Sequence, residues 1–269
     1  MCEFCTRHGD GRVWYKNAAN YSNDLLADIK RRKYIEEFLR STIEDGFKTL
    51  GRLETLFMKK GRLPANVIRA LEEKAKAEHF GQVLPIEEIR DVVLKAASIV
   101  RMPCACRWTM TRKEERCCYA VSYSPDAWYK GFDMSYFGKA CDEGLETVQS
   151  DEAICQIEAM EEHGAIHSIW TMITPFIGAV CNCTAHDCIA LRTRSGIGAH
   201  TIARAEHRAV VDRDLCEGCG LCVESCQFDA IGSEREAAGS IAVIDAEKCY
   251  GCGLCRRACA PGAISLVPR

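Results

Sequence analysis

CEGCGLCVESC at residues 216–226 and CYGCGLCRRACAP at 249–261 decide how this chain is read. Each half is C-x2-C-x2-C-x3-C, with cysteines at 216, 219, 222 and 226, then 249, 252, 255 and 259. Three thiolates at that spacing wrap one corner of an iron–sulfur cube, and the fourth ligand comes from the other half. The spacing therefore predicts one 4Fe–4S cluster on Cys216, Cys219, Cys222 and Cys259. A second falls to Cys249, Cys252, Cys255 and Cys226. Glycines at 218, 220, 251 and 253 allow the tight backbone turns that bring N–H groups towards sulfur. The halves form an internal repeat: residues 210–231 and 243–264 align at an offset of 33 with 11 of 22 positions identical. Each copy reads as a short strand, a cluster loop and one helical turn. Paired C-x2-C units also bind zinc, but zinc sites rarely show a third Cys and a remote fourth, twice over.

On these residues the chain from about 206 to 269 resembles the bacterial two-cluster ferredoxins. The family usually has Pro directly after the fourth Cys. Here Gln227 follows Cys226, and Ala260 separates Cys259 from Pro261, which puts the local turn in question but not the ligation. The resemblance implies single-electron transfer at the low end of the cluster potential range.

The remaining 200-odd residues are not needed for a free ferredoxin. Length and a hydrophobic content of 48% suffice for a core beyond the tail. Nineteen cysteines, an odd number, with no basic-then-apolar start, argue against a disulfide framework and for thiols that serve metal in a cytoplasmic protein. Such dense ligation is associated with an anaerobic setting. Ala165–Cys181 is the longest apolar stretch, but His167 and Pro175 interrupt it, so no membrane insertion is expected. The formal charge of −3 would become more acidic with clusters bound, at about −2 each.

The expected class is α+β: a helical and Cys-rich N-terminal part, then the pseudo-two-fold ferredoxin-like domain. Residues 1–20 form a leader in which Cys2 and Cys5 are a C-x2-C pair. His8 does not directly follow Cys5, which excludes a c-type haem motif. The leader is a half metal site, or a tuck in which Trp14 and Tyr15 pack on the body. Residues 21–102 read as helices: one capped by Ser22 with apolar residues from Leu25 to Ile43, one ending at Gly61, one from Pro64 to about His79, and one from Pro85 repeating apolar residues to Val100. The basic runs at 30–33 and 59–62 are interrupted by Glu and Asp, so nucleic acid is not the expected partner.

Residues 103–205 hold a second cysteine block and a linker. A helix runs from Ser150 to His163 and is closed by Gly164; residues 189–205 read as the linker. Cys104, Cys106, Cys117, Cys181, Cys183 and Cys188 are candidates for a third site, with Cys141 in reserve. Cys104-x-Cys106 and Cys181-x-Cys183 each set two thiols close together outside any core-helix repeat, and unliganded pairs invite oxidation. Arg107 would offset thiolate charge. The C-x-C-R segment (Cys104, Cys106, Arg107), Gly164 with His167, and C-N-C (Cys181, Asn182, Cys183) resemble a group of anaerobe-type Cys-rich iron–sulfur proteins of unassigned activity. Those proteins are richer in Cys after C-N-C, where this chain has only Cys188.

Three functions follow as expectations. The first is an electron carrier with two 4Fe–4S clusters and a redox partner protein. The second is a reductase whose extra metal centre in 103–188 is fed by the tail, with His163, His167 and Glu161 as acid–base candidates. The third is a redox-sensing regulator. Neither a Rossmann fingerprint nor a Walker loop is present.

Overall fold

The computed structural model describes residues 13–124, 128–141, 144–236 and 239–269. In chain order, the body begins with two 3-10 turns, Trp14–Lys16 and Ala18–Tyr21. It continues through α1 (Asn23–Leu26), α2 (Ile29–Glu37), a π-helical segment Phe38–Glu44, α3 (Asp45–Lys60) and α4 (Ala65–Glu78). Next come β1 (Gly81–Val83), α5 (Ile86–Lys95), β2 (Ser98–Met102), α6 (Ala105–Thr111), β3 (Cys118–Ser122) and two 3-10 segments within 128–141. β4 (Glu146–Thr147), α7 (Ser150–Glu162), β5 (Ile166–Thr171), β6 (Ile177–Cys183), α8 (Ile189–Ile197) and β7 (Ile202–Ala203) complete it. The tail holds β8 (His207–Val211), α9 (Leu221–Ser225), β9 (Ile231–Glu236), β10 (Gly239–Ile244), α10 (Leu254–Ala258) and β11 (Ile264–Pro268). The class is α+β.

The seven body strands form one sheet in the order β4-β2-β3-β6-β5-β1-β7, antiparallel except for the parallel pair β1 and β7. Neighbouring residues on a strand face opposite sides, and the chain uses both. Val100, Ala120, Trp170 and Ala179 belong to one core, roofed by the π segment and the aromatic stretch Trp128–Phe137. Ile99, Tyr119, Ile169 and Val180 belong to the other, under α5, α7 and the Trp14–Tyr21 segment. Trp14 and Tyr15 are fully buried there, as their tuck onto the body requires; Cys2, Cys5 and His8 lie outside the described residues. β5, covered on both sides, is buried along its whole length. Gly81 pairs with Trp170 across β1 and β5, and a Cβ there would sit 2.4 Å from the indole. The glycine lets Trp170 lie flat over the sheet.

Local signals hold for most helices. Ser22 caps α1 through its side chain, but the run expected from it to Ile43 is broken at Asp28, which is extended and caps α2; Gly61 ends α3 at φ 70°, and Gly164 follows α7 at φ 83°. Two further expectations need correcting. The helix expected from Pro85 to Val100 stops at Lys95, and 98–102 is strand β2. Its apolar residues suit either period, and pairing with β3 and β4 decides the outcome. As a result, residues 21–102 contribute β1 and β2 to the same sheet as 103–205. The expected linker 189–205 contains α8, which buries Ala190, Leu191 and Ile197 and ends at Gly198 with φ 78°. Its arginines are engaged: Arg192 pairs bidentately with Glu54 at 2.7 and 2.8 Å, and Arg194 donates to Tyr250 Oη at 3.1 Å.

Among the described residues the tail strands pair with each other, β8 with β11 and β9 with β10. Its pseudo-symmetry is seen at Gly218 and Gly251, 33 residues apart. A Cβ on Gly218 would lie 2.1 Å from Ser240 O, and one on Gly251 would lie 2.1 Å from His207 O. Both have positive φ, so backbone conformation and close approach each demand glycine.

Candidate metal centres

Two tail cavities gather the eight repeat cysteines in mixed sets. One is lined by Cys216, Cys219, Cys222 and Cys259 with Gly218 and Gly220. The other is lined by Cys226, Cys249, Cys252 and Cys255 with Gly251 and Gly253. Each fourth cysteine thus comes from the opposite half, because the pseudo-symmetric loops cross. Burial, together with the neighbouring Cys226 and Cys249 sulfurs, pushes the Cys252 and Cys255 thiols up to about 12. Backbone N–H groups already point at sulfur: Ala209 N lies 3.4 Å from Cys249 Sγ, and Ala230 N lies 3.4 Å from Cys226 Sγ. Four thiols around a glycine-walled cavity fit a 4Fe–4S cluster in each, and in the second both amide donors are already at its sulfurs.

The repeat is symmetric in sequence and asymmetric in setting. Leu254 is 5% exposed against the body, whereas its repeat equivalent Leu221 is 48% exposed, beside exposed Cys219 and Leu215. The docked side is the one around the Cys226, Cys249, Cys252 and Cys255 set. Tyr250 and Leu254 are part of the body core, and Phe228 and Cys252 pack on it. Phe228 stacks on Tyr250 at 4.2 Å. Arg257 reaches Glu162 at 2.6 Å, and Arg256 reaches Glu87 at 2.5 Å. Gln227, at the position where the ferredoxin pattern has Pro, accepts from Ala185 N at 2.7 Å and donates to Gly164 O at 2.5 Å. The departure from the pattern is a docking strut.

The body cysteines converge from four segments. Cys104 precedes α6 and Cys106 lies in its first turn; Cys117 precedes β3 and Cys118 opens it. Cys181 and Cys183 share one face of β6, and Cys188 precedes α8. Strand register brings Cys118 opposite Cys181, with their sulfurs 3.8 Å apart. The sulfurs of Cys104, Cys117 and Cys183 lie within 4.8 Å of one another. Cys104, Cys106, Cys118, Cys181, Cys183 and Cys188 line a single cavity of about 60 Å³. Hydrogen bonds from the Cys106, Cys117, Cys118 and Cys183 thiols hold Cys104 well below the ordinary thiol value. The Cys106, Cys118 and Cys183 protons are held correspondingly tightly by Cys104. Cys188 is lowered, first by the Cys183 thiol.

Arg107 flanks this set. Burial works against its charge, but the Cys117 and Cys183 sulfurs and the Asp187 and Glu115 carboxylates hold it on. Its buried Nε has no hydrogen-bond partner. A soft-donor set of six sulfurs around a cavity, with Cys117 beside Cys104 and Cys183 and an unsatisfied guanidinium N–H, fits a thiolate-bound metal.

All six expected upstream ligands fall in this cluster. Cys118 was not among them; its adjacency to Cys117 was visible, but its partner Cys181 is set only by strand register. Cys155 is exposed on α7, and the Cys141 side chain lies outside the described residues. The acid–base candidates are elsewhere. His167 shares a β6 register with Asn182, whose side chain points away from the Cys181 and Cys183 face. His167 Nδ1 donates to Asn182 Oδ1 at 2.7 Å, since Asn182 Nδ2 donates to Cys117 O. Its Nε2 is 3.9 Å from buried Glu161, and His163 is exposed at the end of α7. Among the described residues no helix is long and apolar enough to cross a membrane.

A comparison of the whole chain with curated proteins returned no match. The family model of the 4Fe-4S dicluster domain matches residues 215–263. That segment is a ferredoxin-type iron–sulfur domain, and the chain carries a 4Fe–4S-binding unit suited to electron transfer.

Proposed function

We propose that this chain is a reductase-type iron–sulfur protein, in which the ferredoxin tail serves a thiolate-bound metal centre inside the body. Cys216, Cys219, Cys222 and Cys259 hold one 4Fe–4S cluster, and Cys226, Cys249, Cys252 and Cys255 hold the other. Such clusters accept and donate single electrons when bound. Cys104, Cys106, Cys117, Cys118, Cys181, Cys183 and Cys188 supply a third centre, iron–sulfur or another thiophilic metal. The observation that carries this reading is the one-sided docking of the tail. The side bearing Cys252 is packed into the same core that contains Cys104, Cys183 and Cys188, which is the placement an internal acceptor calls for. A simple carrier would gain nothing from burying that side.

The exposed Leu215, Cys219 and Leu221 form the face for the redox partner protein. The test is anaerobic purification of the full chain, with metal and sulfide counts and low-temperature EPR, beside the double variant Cys104→Ser, Cys183→Ser. The reading requires metal beyond the roughly eight irons of the tail, lost in the variant while the tail signals persist. A tail-only count in both proteins would leave the carrier function alone.

A further inference from the structure

A second cavity, of about 210 Å³, lies behind the thiol cavity and shares Ile43, His79, Trp170 and Ile189 with it. No part of the redox reading uses it. Its walls come from the π segment, α3, α4 and α8, and its apolar lining includes Leu50, Leu53, Leu71 and Ile197. An apolar cavity of about 150 Å³ already accepts benzene, so this one has room for a somewhat larger organic molecule. π-helical turns are uncommon and frequent at functional sites; here one forms the wall between the two cavities.

The polar groups specify the ligand further. The hydroxyls of Ser41, Thr49, Thr193 and Thr201 donate to the carbonyls of Glu37, Asp45, Ile189 and Ala190. Each hydroxyl has one proton, so only lone pairs remain for a guest. Asp45 and Glu78 add carboxylates, each ion-paired at the rim, Glu78 with Lys74 at 3.8 Å and Asp45 with Lys48 at 3.0 Å. His79 Nδ1 lies 2.7 Å from Thr171 O. A carbonyl can only accept, so Nδ1 carries the proton and a neutral His79 keeps Nε2 as an acceptor. Its ring stacks on Trp170 at 4.6 Å. The cavity is apolar in body, aromatic at the wall it shares with the thiols and rich in acceptors, which a carboxylate guest cannot satisfy.

We propose that this cavity binds a small organic molecule with an aromatic or apolar body and N–H or O–H donors, uncharged or cationic, and presents it to the thiol centre. Binding stands on the cavity alone; presentation to a metal rests on the function proposed above.

The test uses the full-length protein purified anaerobically, with indole, benzylamine and benzoate as probes followed by ligand-observed NMR titration. Ala75→Phe narrows the cavity from α4, and Thr49→Trp blocks it from an exposed position that leaves the core intact. Metal counts and circular dichroism establish that each variant is folded, and Thr49→Trp decides if Ala75→Phe is not. Saturable binding of indole and benzylamine is expected, with benzoate at least ten-fold weaker and indole at least ten-fold weaker in the variants. Failure of indole and benzylamine to saturate, benzoate binding as tightly as they do, or unchanged binding in the folded variants would overturn the proposal. Indole should also perturb the EPR spectrum of the upstream centre in wild type but not in Thr49→Trp. Intact indole binding without upstream metal would refute the redox reading and leave the pocket standing.

Discussion

Gly218 and Gly251 show how much of the tail is settled residue by residue. Each would place a Cβ 2.1 Å from a carbonyl oxygen, and each has positive φ. Gly218→Ala should therefore cost the Cys216, Cys219, Cys222 and Cys259 site its metal, and Gly251→Ala should do so at the other site. Iron counts and EPR on each variant check this, and full occupancy in both would contradict it. The two tail cysteine sets and these glycines were legible because their spacing is local. Cys118 was not, since only the register with Cys181 gives it a role. His167 carries a second prediction. Burial, the largest cause, lowers it to about 4 from 6.5. The unfolded chain therefore binds more protons between those values, and stability falls as pH drops from about 6.5 to about 4. The full effect is roughly 3 kcal/mol. His167→Asn, which keeps a donor for Asn182, should flatten that part of the pH–stability curve; superimposable curves would show that His167 does not titrate in this way.

At the scale of elements, the repeat equivalents Leu221 and Leu254 separate what sequence specifies from what docking adds. Both follow a glycine at the start of a five-residue helix, α9 or α10. Leu254→Ala should destabilise by about 2–5 kcal/mol as a buried truncation, and Leu221→Ala by less than about 0.5 kcal/mol. Chemical denaturation under anaerobic conditions measures both, and equal costs would remove the case for one-sided docking. Gln227→Ala should loosen the same interface, read as faster hydrogen exchange at Ala185. The helices with end signals, α1, α3, α4 and α7, could be read locally from Ser22, Gly61, Pro64 and Gly164. β2 and α8 could not, because β2 is selected by strands paired from 118–122 and 146–147. α8 is selected by burial of Ile197, with Ile189, against α3 and its surroundings, and of Leu191 in the core on the other side.

For the whole molecule, the sheet is the device that turns scattered cysteines into a site. β3 and β6 are adjacent, so Cys118 meets Cys181. The turn out of β2 brings Cys104, and the turn into α8 brings Cys188. The class and the tail were legible; the seven-stranded sheet was not, because its order is a set of long-range pairings that no local period encodes. The same sheet holds His79 and Trp170 between the thiols and the larger cavity, and it supports the docked side of the tail. The claim that joins these features is that the body thiols are metal ligands, and the most direct measurement is the metal content of full-length protein purified without oxygen. Wild type should hold metal beyond the roughly eight irons of a two-cluster tail, and the Cys104→Ser, Cys183→Ser variant should fall back to about eight. Eight or fewer irons in wild type, no other metal, and an unchanged count in the variant would contradict the account.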